Sequence, residues 1–203
     1  MATDARRSRL TATDWAQAAL AAVAEGGLAA VAVEPLAARL GATKGSFYWH
    51  FVNRDALVVA ALELWELHLT DEVIAVVTRE PDPVSALQSL MTRVIGSAGR
   101  SALEAQLLAA ADHPLVGDVV RRVVARRVAF VTGVFEQAGF APADAAVRAT
   151  LLYTAYAGHD QLLARLPGVL PLEAAGGTDG YLDAVLGLML GAGGSASPRR
   201  PTG

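Results

Sequence analysis

Gly41-Ala42-Thr43-Lys44-Gly45-Ser46-Phe47-Tyr48-Trp49-His50-Phe51 follows directly on the periodic run Leu36-Ala37-Ala38-Arg39-Leu40. The spacing predicts a helix ending at Leu40, a glycine turn, and a second short helix capped by Thr43. That is a helix-turn-helix layout, whose second helix lies in the major groove of duplex DNA. Lys44, at the start of that second helix, is the single lysine among 203 residues.

Working outward, the chain reads as helix after helix, punctuated by proline and glycine. Thr11 with Asp14 three residues on makes a capping box, and Trp15, Ala18, Ala19, Ala22 and Val23 form one apolar face up to Gly26-Gly27. The next helix spans about 33–40, with Pro35 tolerated in its first turn. Asn53 caps a long helix from Arg54 to about Thr78. Further helices are expected over 83–96, 101–111, 114–138, 142–165 and 180–190. No alternating strand pattern occurs, so the fold class is all-α: an N-terminal three-helix helix-turn-helix domain, then a larger helical domain. The domains are expected at 1–54 and 55–190, with a disordered Gly/Ser/Pro/Arg tail over 191–203.

Composition narrows the function. Over half of the residues are apolar types and cysteine is absent, which excludes disulfides and thiolate zinc sites. No apolar h-region follows Arg6, Arg7 and Arg9, and no stretch approaches the ~20 apolar residues of a membrane span. The expectation is a cytoplasmic protein without membrane contact. Residues 1–54 hold six basic against four acidic groups, a balance of +2, and the remainder eleven against sixteen, −5. A positive head on an acidic body fits a DNA-binding module attached to something else.

Residues 10 to 57 resemble the N-terminal domain of the TetR family of bacterial transcriptional regulators. The resemblance rests on Leu10-Thr11, Ala18-Ala19, Glu25-Gly26-Gly27, the run Leu36 to Gly41, Phe47 to Phe51, and Asn53-Arg54-Asp55-Ala56-Leu57. It covers about a quarter of the chain, and beyond residue 60 it is one of architecture only. It implies a DNA-binding head, a small-molecule pocket in the body, and a dimer interface built from the last two helices.

Each residue of the head also has a reading of its own. Phe47 and Phe51 share a face and should bury against Leu36 and Leu40. Lys44 and Ser46 stand in the first turn, where side chains of this motif reach base edges. Thr43 can cap and touch phosphate, and Gly45 lets backbone approach DNA at a helix cost of ~1 kcal/mol. Tyr48, His50 and Arg54 are candidate phosphate contacts. Trp49 reads equally as packing or as DNA-facing. One departure stands out: Ala32-Val33-Glu34-Pro35 offers no cap hydroxyl and places a carboxylate near phosphates, repulsive unless Arg39 or a water intervenes.

In the body, Trp65, His68, Met91, Ile95, Gln106, Tyr153, Tyr156 and Asp160 are bulky or polar-tipped residues within apolar helices, the pattern of a ligand site as well as of an ordinary core. Arg121-Arg122 and Arg126-Arg127 read as a solvated stripe paired with carboxylates, or as an anion attractant. Ala149, Leu152, Leu163, Leu166, Tyr181, Val185, Leu188 and Met189 are the candidate dimer contacts, since an apolar last helix needs cover. A two-fold dimer requires a palindromic operator with half-sites about one DNA turn apart. The four histidines lack metal-ligand spacing and no catalytic motif occurs, so neither metal, cofactor nor enzyme activity is expected. Three readings follow: a regulator, most simply a repressor, released from its operator by a small-molecule effector; a constitutive DNA-binding dimer without a cavity; and a dimeric all-α small-molecule-binding protein whose head has weakened.

Overall fold

Thr11 opens the first helix as its spacing implies. Its hydroxyl accepts from Asp14 N at 3.2 Å, while Asp14 Oδ2 accepts from Thr11 N at 2.7 Å. The computed structural model describes residues 10–95 and 98–191. The basic residues Arg6, Arg7 and Arg9 and the tail from 192 onward lie outside them, as does the side chain of Leu163. The described residues form ten α-helices and no strand: α1 (Ala12–Gly26), α2 (Val33–Arg39), α3 (Lys44–Tyr48), α4 (Arg54–Glu66), α5 (Glu72–Val77), α6 (Pro83–Val94), α7 (Ala98–Ala109), α8 (Gly117–Gln137), α9 (Pro142–Arg165) and α10 (Gly177–Leu190). The all-α expectation therefore holds.

Two helix boundaries moved for local reasons. Pro114 does not open α8, because Val116 N and Gly117 N both donate to His113 O, closing a turn before the helix begins. Gly176, at φ 83°, lets α10 start three residues earlier than expected.

The long helix predicted over 54–78 is interrupted. Between α4 and α5, residues Leu67–Asp71 form a π-helical turn, and the chain continues through it without a loop. Such turns are rare and cluster at functional sites.

The core falls into two apolar clusters. The upper one joins Trp15, Val23, Leu36, Phe47 and Leu57 to Leu62 and Trp65 of α4, Leu107 of α7 and Val120 and Val123 of α8. The lower one gathers Val77, Leu87, Met91, Val131, Phe135, Ala149, Leu152, Tyr156 and Leu186. The two clusters meet across the middle of α8, and residues of the first three helices pack with α4, α7 and α8. Gly27 marks that junction. Its φ of +69° suits glycine, and a Cβ there would come within 3.1 Å of Gln106 Oε1 on α7.

Polar groups occupy the level between the clusters. Trp65 Nε1 donates to Glu104 Oε1 at 2.9 Å. Arg127 binds both oxygens of that carboxylate, Nη2 at 3.0 Å and Nη1 at 3.1 Å. Its Nε donates to Thr70 Oγ1 at 2.9 Å and Nη2 also to Leu69 O at 3.1 Å, both within the π turn. The guanidinium lies 5.3 Å from the Trp65 ring centroid. Beyond it, Ser101 Oγ donates to buried Asp160 at 2.9 Å, and His159 stacks on Tyr181 with centroids 5.2 Å apart. Neither ring nitrogen of His159 has a hydrogen-bond partner.

Removing one member of a buried charge pair leaves the other uncompensated, at about 3–5 kcal/mol, while an apolar replacement of both is far milder. Glu104→Ala should therefore destabilise the protein by that amount in urea titration, and Glu104→Leu/Arg127→Leu by clearly less. Burial holds the His159 imidazole below its ordinary pKa, although the neighbouring Asp160 carboxylate acts to raise it. The unfolded chain therefore takes up the proton first, so this stability is present above the ordinary histidine range and is lost as pH falls below it. Asp160 works in the other direction, because burial raises its pKa. The comparison with His159→Phe isolates the histidine: the variant should gain stability relative to wild type between pH 7.5 and 5.5.

Candidate nucleic-acid interface and body cavity

The turn that positions α3 is built by backbone geometry. Gly41 adopts φ +61°, and Ala42 N and Gly41 N donate to Ala37 O (2.8 Å) and Ala38 O (3.1 Å), the paired bonds of a Schellman C-cap. Thr43 then caps α3, its Oγ1 accepting from Ser46 N at 3.2 Å. Phe47 is fully buried, edge-on to Trp15 (5.4 Å) and stacked on Phe51 (5.6 Å). With that face anchored, the opposite one is presented to solvent.

Thr43, Lys44, Gly45, Tyr48 and Trp49 are exposed, and Ser46 and His50 are half-buried beside them. Trp49, 80% exposed, is not part of this chain's core. A Cβ at Gly45 would meet only Thr43 Oγ1, at 3.7 Å, so packing within the chain does not demand glycine there. Arg54 is placed differently from the expectation of a phosphate contact. Its Nε donates to Val31 O at 2.7 Å and its Nη2 to Leu28 O at 2.6 Å. The side chain ties the start of α4 to the short turn between α1 and α2. Leu28 O also accepts from Val31 N at 3.3 Å, so the arginine adds a second donor there.

Glu34 also finds a partner. Lys44 Nζ donates to Glu34 Oε1 at 2.8 Å, whereas Arg39 pairs with Glu25. The contact holds the Glu34 carboxyl below the usual range and the Lys44 ammonium above its own. Both side chains are well exposed, so the pair adds little stability; it sets where the lysine points.

In the body, a narrow cleft open to solvent, with a cavity volume of about 50 Å³, opens among the π turn, α5, α6, α8 and α9. Leu69, Thr70, Val73, Leu90, Met91, Arg127, Phe130, Leu152, Tyr153 and Tyr156 line it. Three of the sequence-derived ligand candidates, Met91, Tyr153 and Tyr156, come together here. Trp65 does not: it is buried in the upper cluster with its indole N–H on Glu104. His68 is exposed, paired with Glu72 at 2.9 Å, and is not among the wall residues. Gln106 lies at the Gly27 junction, Asp160 is buried against Ser101, and Ile95 sits in the lower core.

Arg127 is the wall residue that sequence reading undervalued. Arg122 and Arg126 pair with Glu66 and Asp71, as a solvated stripe would. Arg127, however, continues the buried series Val120, Val123, Val131, Val134 at helical spacing, and that register was the available signal. Among the dimer candidates, Leu152 and Ala149 are buried in the chain's own core, so they have no surface to offer a partner. Tyr181, Val185 and Met189 are half-buried, Leu166 is exposed and Leu188 is 74% exposed. Val147, Leu151 and Leu162 of α9, not singled out from the sequence, are exposed as well. Among the described residues no group of three metal-ligating side chains occurs, and no helix is long and apolar enough to cross a membrane.

The comparisons with known proteins agree with this architecture. Residues 17–61 match the family of bacterial regulatory proteins, tetR family. No curated protein matches the chain. Among solved structures, a transcriptional regulator from Rhodococcus sp. Rha1 is 23% identical, with 93% of this chain and 100% of that one covered at a TM-score of 0.72. A TetR-family transcriptional regulator from Agrobacterium tumefaciens is 16% identical, with 91% and 97% covered, also at 0.72. NemR from E. coli is 15% identical over 93% and 99%, at 0.67. At such identities the likeness is one of fold, and the family match is confined to residues 17–61. Residues 17–61 thus match the N-terminal, tetR-family type of bacterial regulatory protein, and the whole chain shares the fold of solved transcriptional regulators.

Proposed function

We propose that this regulator binds a palindromic operator as a homodimer and leaves it when a small molecule enters the body cleft, acting as a repressor. The observation that carries the reading is continuity. The start of α4 is fixed to the head through Arg54, and the same run of helix reaches the cleft wall at Leu69 and Thr70 with no intervening loop. Arg127 bonds the π turn and lines the cleft at once. A ligand that changes how Arg127 holds this turn changes the direction in which α4 carries the head. Only a difference in affinity between two states can drive release, and moving a 99:1 population to 1:99 takes about 5.5 kcal/mol.

On the DNA side, Lys44 and Ser46 would read base edges while Thr43, Tyr48 and His50 meet the backbone, with Gly45 admitting close approach and Trp49 packing on sugar or thymine methyl. Homodimerisation would use the exposed α9 residues Val147 and Leu151 with Leu188 of α10, beside the point where Arg148 donates to Met189 O. The reading of a small-molecule-binding protein with a weakened head has one observation in its favour: Lys44 already has a carboxylate partner.

Selection of bound oligonucleotides from a random pool tests the whole reading; recovery of a palindrome supports it, and failure to enrich any duplex at low ionic strength defeats it. On the selected operator, Lys44→Ala should relax base preference and cost roughly 1–3 kcal/mol. Glu34→Gln should tighten binding and steepen its salt dependence by about one unit of slope, because it removes the carboxylate that neutralises Lys44 at the DNA surface; unchanged affinity would place Lys44 outside the interface. Leu151→Glu/Leu188→Glu should sediment as a folded monomer and lose operator affinity.

A further inference from the structure

The cleft's polar end limits what can occupy it. Arg127 is its charged wall residue, and its charge is already matched by both oxygens of Glu104. Four donations account for Nε, both hydrogens of Nη2 and one of Nη1, out of five that a guanidinium offers. Tyr153 lines the same cleft, close enough to Arg127 for the guanidinium charge to act on its hydroxyl. Tyr156 lies beside Asp160, whose carboxyl already accepts from Ser101. The Tyr153 O–H is thus left with no acceptor among the described residues. Apart from Thr70, whose hydroxyl oxygen accepts from Arg127 Nε, the remaining walls are apolar, among them Val73, Leu90, Met91 and Phe130.

We infer that the cleft accepts an uncharged, largely apolar molecule carrying one acceptor oxygen, such as a ketone, ester or ether, which takes the Tyr153 O–H while its hydrocarbon part fills the space between Val73, Leu90 and Phe130. An anion would meet an arginine already neutralised, with the Glu104 carboxylate behind it and no other cation lining the cleft. A cation would find no uncompensated carboxylate on the walls. Both would lose hydration without a matching partner, whereas a carbonyl loses little and gains one donor. The assignment rests on the effector-responsive reading above and specifies the chemistry of that site.

Four probes of one skeleton separate the possibilities: butyrophenone, 4-phenylbutyrate, 4-phenylbutylamine and butylbenzene, each titrated into the full-length protein by calorimetry. The ketone should bind at least about tenfold tighter than the carboxylate and the ammonium, and tighter than the hydrocarbon. Tyr153→Phe should bring the ketone down to the hydrocarbon's affinity while leaving butylbenzene unchanged. Tighter binding of the carboxylate or amine overturns the assignment, and so does binding of none of the four. Equal loss of ketone and hydrocarbon in Tyr153→Phe also overturns it, since the residue would then only shape the wall. Binding in the expected order with unchanged operator occupancy would leave the assignment standing and defeat the repressor reading instead.

Discussion

The fold turns on one buried contact, the clasp of Arg127 on Glu104. A paired charge in an apolar interior is stable only when nearly all of its hydrogen-bonding capacity is met, and here Trp65, Thr70 and the Leu69 carbonyl meet it. Those partners come from α4, the π turn and α7, so satisfying two side chains fixes three segments around α8. The apolar clusters above and below could slide against one another if only hydrophobic contact joined them, because burial of apolar surface is not directional. The clasp supplies the direction.

The head is also packed directly against the body. Trp15 and Phe47 pack in the same cluster as Leu107 and Val120, and Arg54 fastens α4 to the turn after α1. A head that shares its core with α4, α7 and α8 follows these helices when they move. The recognition face itself needs little machinery. Two phenylalanines four residues apart anchor one side of α3, a glycine turn sets its angle, and what remains points outward.

Much of this was legible from residues alone. The capping box at Thr11, the caps at Thr43 and Asn53, and the apolar face of α1 follow from local rules that depend on neighbours within four positions. Exposure of Lys44 and Tyr48 was equally local, being whatever Phe47 does not bury. The misses share a different cause. Nothing near Leu67–Asp71 announces a π turn, because the group that bonds it lies on α8, 57 residues away in the chain at Thr70. Arg54 and Glu34 looked like surface charges until tertiary structure supplied a carbonyl for one and a lysine for the other. Leu152 carries no mark that distinguishes an internal wall from a dimer face; only the packing of α8 on α9 decides it.

In the proposed function, the π turn transmits what happens at the cleft to the head, with Arg127 as the link. Amide hydrogen exchange of Arg127→Lys, compared with wild type, tests this most directly, since lysine keeps the charge but loses the fork that reaches Leu69 and Thr70 together with Glu104. Faster exchange through residues 66–72 and onward along α4 to Arg54, with α6 and α10 unchanged, is the result this account requires. Faster exchange confined to α7 and α8, with α4 as protected as before, would contradict it.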